Sequence, residues 1–357
     1  MNKIVLSLVG VLLASCADTN VDTRKQSKNF TNDQFKNSTA VKTHSFWEMV
    51  WSGLTSDIVP AEWPESVETT ADKYPLARVS DGDVRVTYVN HATFLIQAGG
   101  VNILTDPIFS ERTSPLSFIG PKRIHKPGIA FDDLPKIDAI IISHDHYDHY
   151  DHLDLESVAQ LIERDKPLVY MGLGVGQRFN QTENIVEMDW GDSAHINKDA
   201  TLWFLEVQHF SGRTLTDRNS TLWGGFLLEI AGKKIYFGGD SGYANHYKDA
   251  YKQFGAIDIA FLPIGAYSPR ELFKPVHLDP YEAVQAHIDL QSKLSIGMHY
   301  GTFQLSAEPR DEPIALLADA KNKANIANGK FITINVGEPF TYSDKEIIDD
   351  NISTVSL

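Results

Sequence analysis

Ile140-Ile141-Ile142-Ser143-His144-Asp145-His146-Tyr147-Asp148-His149 is the stretch on which the reading of this chain turns. A short, β-branched apolar run gives way to three histidines and two aspartates within six residues. Apolar runs of this length are typical of buried strands, so the polar cluster sits where a strand yields to a loop. Imidazole and carboxylate are the ligand types that suit zinc, iron or manganese. Residues two apart in an extended segment face the same way. His144 and His146 can therefore grip one ion, and the following turn can bring Asp148 and His149 onto a second. The alternative is a histidine-rich surface loop, and the density of ligand types argues against it.

Three more ligand types close predicted strands. His209 follows Trp203-Phe204-Leu205-Glu206-Val207-Gln208, Asp240 follows Ile235-Tyr236-Phe237-Gly238-Gly239, and His299 follows Leu294-Ser295-Ile296-Gly297-Met298. Sites gather at strand ends along one edge of a sheet. Singly, a strand-ending His or Asp commonly caps or turns the chain. Together with the cluster, the order and spacing of these three candidates are hard to assign to chance.

Around these points the patterning alternates between strand and helix. Further strands are expected at Val84 to Val89, Thr93 to Gln97 and Val101 to Thr105, then at Pro167 to Met171, Phe226 to Ile230, Ile257 to Leu262 and Phe331 to Ile334. Helical periods fall at Leu153 to Glu163, Tyr247 to Phe254, Pro280 to Ile288 and Pro313 to Ala324. Gly172-x-Gly174-x-Gly176 lacks both nucleotide fingerprints and reads as a turn. Many strands with interspersed helices, in two similar halves, give an α/β fold of two sheets packed between helices.

The chain has 357 residues, 42% of them hydrophobic and 22% charged, enough for a large core. A net charge of −15 argues against a nucleic-acid-binding face. It leaves room for an anionic substrate, since bound divalent cations dominate their local field. At the amino terminus Lys3 precedes an apolar run that ends at Leu13-Ala14-Ser15-Cys16. Residues 1–15 resemble a bacterial lipoprotein signal, with cleavage before Cys16 and lipid on its sulfur. Ala17 resembles the sorting residue of outer-membrane lipoproteins, so the expected location is the cell envelope, on the periplasmic face of the outer membrane. Residues 16–44 are polar and expected as a disordered tether. Residues 45–83 are expected as a helical and irregular extension on the core, with Phe46, Trp47, Val50, Trp51 and Leu54 on one helix face. The main domain is expected over 84–342 and an acidic tail over 343–357.

The H-x-H-x-D-H run, with the distant His209, Gly239-Asp240 and His299, resembles the metallo-β-lactamase superfamily. That resemblance implies a four-layer αβ/βα sandwich binding two metal ions. It narrows at Asn90-His91-Ala92-Thr93, Leu104-Thr105-Asp106-Pro107-Ile108-Phe109, Gly120-Pro121-Lys122-Arg123 and Leu222-Trp223-Gly224-Gly225. It continues through Gly239-Asp240-Ser241-Gly242-Tyr243, Pro263-Ile264-Gly265-Ala266-Tyr267 and His299-Tyr300-Gly301-Thr302-Phe303. These segments resemble the N-acyl-phosphatidylethanolamine-hydrolysing phospholipases D and their bacterial relatives, over about Phe46 to Gly337.

By position, the resemblance implies one metal on His144, His146 and His209, another on Asp148, His149 and His299, and Asp240 bridging them. It implies two zinc ions, with iron or manganese as alternatives. The implied reaction is in-line attack of a hydroxide held between the ions on a phosphodiester, with Asp148 orienting it, leaving phosphatidic acid and an N-acylethanolamine. His277 is expected to protonate the leaving group or bind phosphate, or else simply to precede a helix begun by Asp279-Pro280. Arg213 is a candidate phosphate clamp, Tyr300 a pocket wall where a tryptophan is common, and His91 and Asp106 supports for the ligands. Asp145 stands where asparagine is frequent. Two other functions remain open: hydrolysis of a soluble phosphorylated lactone on the same metals, and a non-catalytic metal-binding envelope lipoprotein. Expected partners are a phospholipid and a membrane surface, with no nucleic acid; the sequence is silent on oligomeric state.

Overall fold

The computed structural model describes residues 22–39, 48, 59–69, 75–80, 82–113, 118, 120–146, 153–180, 183–214 and 216–343. A short hairpin comes first, β1 (Phe30–Thr31) with β2 (Gln34–Phe35). The first large sheet uses β3 (Val84–Asn90), β4 (Thr93–Ala98), β5 (Val101–Thr105), β6 (Ala139–Ile142), β7 (Leu168–Gly172) and β8 (Ile185–Met188). The second uses β9 (Ser193–Asn197), β10 (Ala200–Leu205), β11 (Gly225–Ile230), β12 (Lys233–Phe237), β13 (Ile259–Pro263), β14 (Leu294–Met298) and β15 (Phe331–Ile332). Strand β16 (Pro339–Tyr342) returns to the first sheet beside β3, so each sheet has seven strands. The helices are α1 (Leu155–Asp165), α2 (His246–Phe254), α3 (Arg270–Phe273), α4 (Pro280–Asp289) and α5 (Glu312–Lys323).

Strand alternation builds the layers. In β6, Ala139 and Ile141 enter the core between the sheets, while Ile140 and Ile142 pack outward with α1 residues Val158, Leu161 and Ile162. In β13, Ile259 and Phe261 face inward, while Ala260 and Leu262 join the cluster that holds α4 and α5. A period of two with both faces buried is why these strands read as unbroken apolar runs. The result is the expected four-layer αβ/βα sandwich.

Strands β5 to β8 run parallel, as do β12 to β15. Their carboxyl ends deliver Asp106, the Ser143–His146 segment, Asp240 and His299 to loops at the strand ends, where sites form in parallel sheets. Helix α1 starts where Asp154 accepts the Ser157 N–H at 3.1 Å, and α4 where Asp279 accepts that of Glu282 at 2.9 Å ahead of Pro280.

Part of the expected tether is folded. Residues 22–39 carry a 3-10 turn (Thr23–Gln26) and the β1–β2 hairpin, and Phe35 is wholly buried in the inter-sheet core. Phe35 N–H donates to Asn219 O at 2.8 Å, and Asn37 donates to Glu206 and Val207. Two aromatics on a polar segment suffice because the main domain supplies the surface they bury. The lead Cys16, the aromatic helix face around Trp47 and Trp51, and residues 344–357 lie outside the described residues. Within 59–69 the chain is irregular and bonded to the core: Val67 N–H donates to Ile124 O at 2.6 Å and Trp63 Nε1–H to Glu308 O at 3.0 Å.

Strands β8, β9 and β16 and the short α3 have no counterpart in the sequence reading. Edge strands are short and only half-buried: Ser193–Asn197 does alternate, with Ala194 and Ile196 against the core, but over too few and too small apolar residues to stand out. Strand β10 stops at Leu205, so His209 stands four residues beyond it, held by the Gln208–Gly242 bridge.

Candidate metal centre

Two triads of ligand-type side chains form among the described residues. His144, His146 and His209 make one and Asp240, His277 and His299 the other, with ligand atoms in each within 4.8 Å of one another. Apart from His277, which is slightly more open, these side chains are at most about 4% exposed. Asp148 and His149, and with them half of the expected second metal set, lie outside the described residues.

Ser143 Oγ donates its single proton to Asp106 Oδ2 at 2.7 Å, so it accepts from His144 Nδ1 at 2.8 Å. That fixes the proton on Nδ1 and turns Nε2 of His144 into an acceptor. Val276 O can only accept, so His209 also carries its proton on Nδ1, at 2.8 Å, and presents Nε2 inward. Nε2 of His209 lies 3.4 Å from Nδ1 of His146. Imidazole acceptors converging inside a buried, hydrogen-bonded frame fit a divalent cation such as zinc.

Asp240 joins the two triads. Its Oδ2 lies 3.0 Å from His299 Nε2, 3.9 Å from His144 Nε2 and 4.0 Å from His277 Nδ1. Gly239 brings it there with a left-handed φ of 57°, and a Cβ on that glycine would meet Ser143 Cβ at 2.8 Å. His299 itself has φ 62°, and its N–H is held by His91 O at 2.9 Å. Gly265 makes room for this turn: a Cβ there would sit 2.3 Å from His299 O.

His91 and Asp106 lie beside the ligand set. The His91 ring packs 4.1 Å from that of His299, and Asp106 grips Ser143 through both N–H and hydroxyl. The His277 ring lies between those of His209 and His299, at 5.4 and 5.3 Å. Its carbonyl accepts from Arg270, which also pairs with Asp279 and Glu282. His277 thus faces the ligand set as well as preceding α4. Arg213 donates to the carbonyls of Asp145 and Leu153, at 3.3 and 3.1 Å, so this Nη1 braces the loop rather than reaching out as a phosphate clamp. Tyr300 packs 6.1 Å from Tyr88 and borders a crevice of only about 10 Å³ with Trp63 and Phe303, the room of one water at most.

Arg178 and Asp217 also belong to this frame, and no local motif marks them. Asp145 is fully buried and accepts from Arg178 Nε at 3.0 Å, Thr221 Oγ1 at 2.8 Å and Gly212 N–H at 3.2 Å. Arg178 reaches on to Asp217 at 2.7 Å. Burial pulls the Arg178 guanidinium down, but the Asp145 and Asp217 carboxylates outweigh it and hold it above its ordinary value. The acidic residue between two ligand histidines was the available signal; its partner is 33 positions away. Burial likewise holds His125 below the usual imidazole range, in the loop that Thr302 anchors.

A cleft of about 290 Å³ lies between residues 28–39 and α2, lined by Glu206, Gln208, His246 and Asp249 among others, with no residue of either triad.

Comparison with known proteins places this geometry. The beta-lactamase superfamily domain matches residues 101–300. The N-acyl-phosphatidylethanolamine-hydrolyzing phospholipase D 1 of Caenorhabditis elegans is 35% identical over 282 residues, covering 74% of this chain and 78% of that protein. The mitochondrial enzyme of the same description from Saccharomyces cerevisiae is 37% identical over 225 residues, covering 60% of this chain and 47% of that one. Among solved structures, the metallo hydrolase Igni18 of Ignicoccus hospitalis aligns with a TM-score of 0.54 at 21% identity, over 73% of this chain and 99% of that one. The last likeness is one of fold. With two converging ligand triads on that fold, the chain belongs to the metallo-β-lactamase superfamily as a metallo-hydrolase with homologues among the N-acyl-phosphatidylethanolamine-hydrolysing phospholipases D.

Proposed function

We propose that the protein is a binuclear, zinc-dependent phosphodiesterase that cleaves N-acylated phosphatidylethanolamine, or a closely related glycerophospholipid, into phosphatidic acid and an N-acylethanolamine. The observation that carries this reading is Asp240 Oδ2, within about 4 Å of histidines from both triads, in a chain 35% identical to a phospholipase D of that description over three quarters of its length.

In this reading His144, His146 and His209 hold one ion, and Asp240 and His299 contribute to the other with Asp148 and His149. Bound divalent ions supply Lewis acidity, lowering the pKa of a water and drawing charge from phosphoryl oxygens. The protein's own groups do the rest. Asp106, through Ser143, and Val276 O fix the histidine tautomers, so the ligands need little reorganisation on loading. Attack at phosphorus breaks the bond to the head-group oxygen, which then needs a proton. His277, near Asp240 and on the more open side, is placed to deliver it. We further propose that Cys16 carries a lipid anchor at the periplasmic face of the outer membrane, which would hold the enzyme at its substrate's surface.

Purified protein with verified metal content should be offered a panel of phospholipids and a phosphorylated lactone, with phosphatidic acid and released head group both measured. Paired release from the N-acylated lipid is expected. No turnover on any glycerophospholipid by the loaded protein would remove the proposal, and turnover of the lactone alone would replace it. Mass spectrometry of the amino terminus after expression in a lipoprotein-processing host tests the anchor.

A further inference from the structure

Asp145 and Arg178 take no part in either triad, yet they sit where the two halves of the first triad are joined. His144 and His146 leave the first sheet on one loop, and His209 leaves the second sheet on another. Along the extended 144–146 segment the two histidines face inward and Asp145 faces the opposite way. Its Oδ1 is met there by the other loop, through Gly212 N–H and Thr221 Oγ1, and its Oδ2 by Arg178 Nε from the Val175–Arg178 turn after β7 of the first sheet. Arg178 Nη2 then holds Asp217 Oδ2, while Asp217 Oδ1 accepts the N–H groups of Arg213 and Thr214 at 2.9 and 2.7 Å. Arg213 closes the circuit on the carbonyls of Asp145 and Leu153.

We infer that the Arg178–Asp145 ion pair, extended through Asp217, is a positioning device that sets the affinity of the first triad for its cation by fixing His209 against His146. The inference rests on the metal-centre reading above and adds residues to it. An asparagine at 145 keeps the acceptor for Gly212 and Thr221 and loses the anionic oxygen that Arg178 holds. Arg178 spans two carboxylates with separate nitrogens, which a lysine ammonium cannot do in the same geometry.

The test compares zinc affinity by chelator competition, and the visible spectrum of the cobalt-substituted protein, for wild type, Asp145→Asn, Arg178→Met, Arg178→Lys and the Asp145→Asn/Arg178→Met pair. The single variants are expected to lose about ten- to a hundredfold in affinity at the tighter site, the scale of lost support around a ligand. Arg178→Lys should fall between, and the double variant should lose no more than the worse single one. A shifted cobalt spectrum should accompany the loss. Affinities and spectra within twofold of wild type, in variants with the wild-type circular dichroism, would overturn the inference while leaving the metal centre intact. A variant that misfolds is set aside in favour of Arg178→Lys, the mildest change, whose unaltered affinity and spectrum would equally overturn it. Wild-type protein that takes up no zinc would overturn both.

Discussion

The two ligand triads are held in different ways. His144 and His146 come from the loop after β6 in the first sheet, and His209 from the loop after β10 in the second. That triad exists only where the sheets meet, and charged braces cross the join. Asp240, His277 and His299 all come from the second sheet's own connections, after β12, before α4 and after β14. They are carried by one sheet's connections and by backbone turns with positive φ, with the first sheet adding the His91 carbonyl on the His299 N–H, and His277 is left the most open of the six. The first triad is built to retain something; the second is built to meet something.

Removing a ligand from the first triad should therefore cost most. His146→Ala is expected to lower turnover about ten-thousandfold (~5 kcal/mol) and to reduce bound metal in elemental analysis. His277→Gln should lower turnover by about a hundred- to a thousandfold, the scale of lost acid–base help, with metal still bound by the first triad. Equal metal loss in the two variants would erase the contrast. Phe35→Ala should reduce stability by about 3 kcal/mol in denaturant unfolding, since it empties a fully buried ring site that pins the 217–220 loop near the first triad. Activity per folded molecule should change little.

A pH series probes the other half. Burial holds His287 at about 4, against 6.5 for a free imidazole, and it bonds Ser295 on β14, the strand just before His299. The unfolded chain binds the extra proton between these values. Stability is therefore full above pH 6.5 and falls as pH drops toward 4, by roughly 2–3 kcal/mol. His287→Gln should flatten that slope in pH-dependent melting, and an unchanged slope would assign the loss to other groups.

Much of the site could be read from residue order because its ligands terminate strands. A buried parallel strand is an unbroken apolar run, and β6, β12 and β14 each stop at or near a polar ligand. His209 was found even though β10 ends early, since His209 still follows an apolar run. What stayed hidden depends on contacts between distant segments. Nothing in Val175–Arg178 announces that its arginine will meet Asp145, and nothing local says that Phe35 has a core to enter. The composition of residues 22–39 predicts a tether, yet the segment folds on a surface provided by residues almost two hundred positions away. The charge of Arg213 makes it a candidate phosphate clamp, and no local pattern foretells that its Nη1 meets the protein's own carbonyls.

The first triad spans the sheets, and this bears on how the protein endures. His146 and His209 are 63 residues apart in sequence, so a cation seated between them closes a loop of that length. A permanent cross-link of this span would remove freedom from the unfolded chain worth on the order of 4 kcal/mol. A coordinated ion acts in the same direction for as long as it stays bound. Starvation for metal would thus shorten the protein's lifetime against unfolding and proteolysis as well as silence it, making its abundance a record of the cation supply.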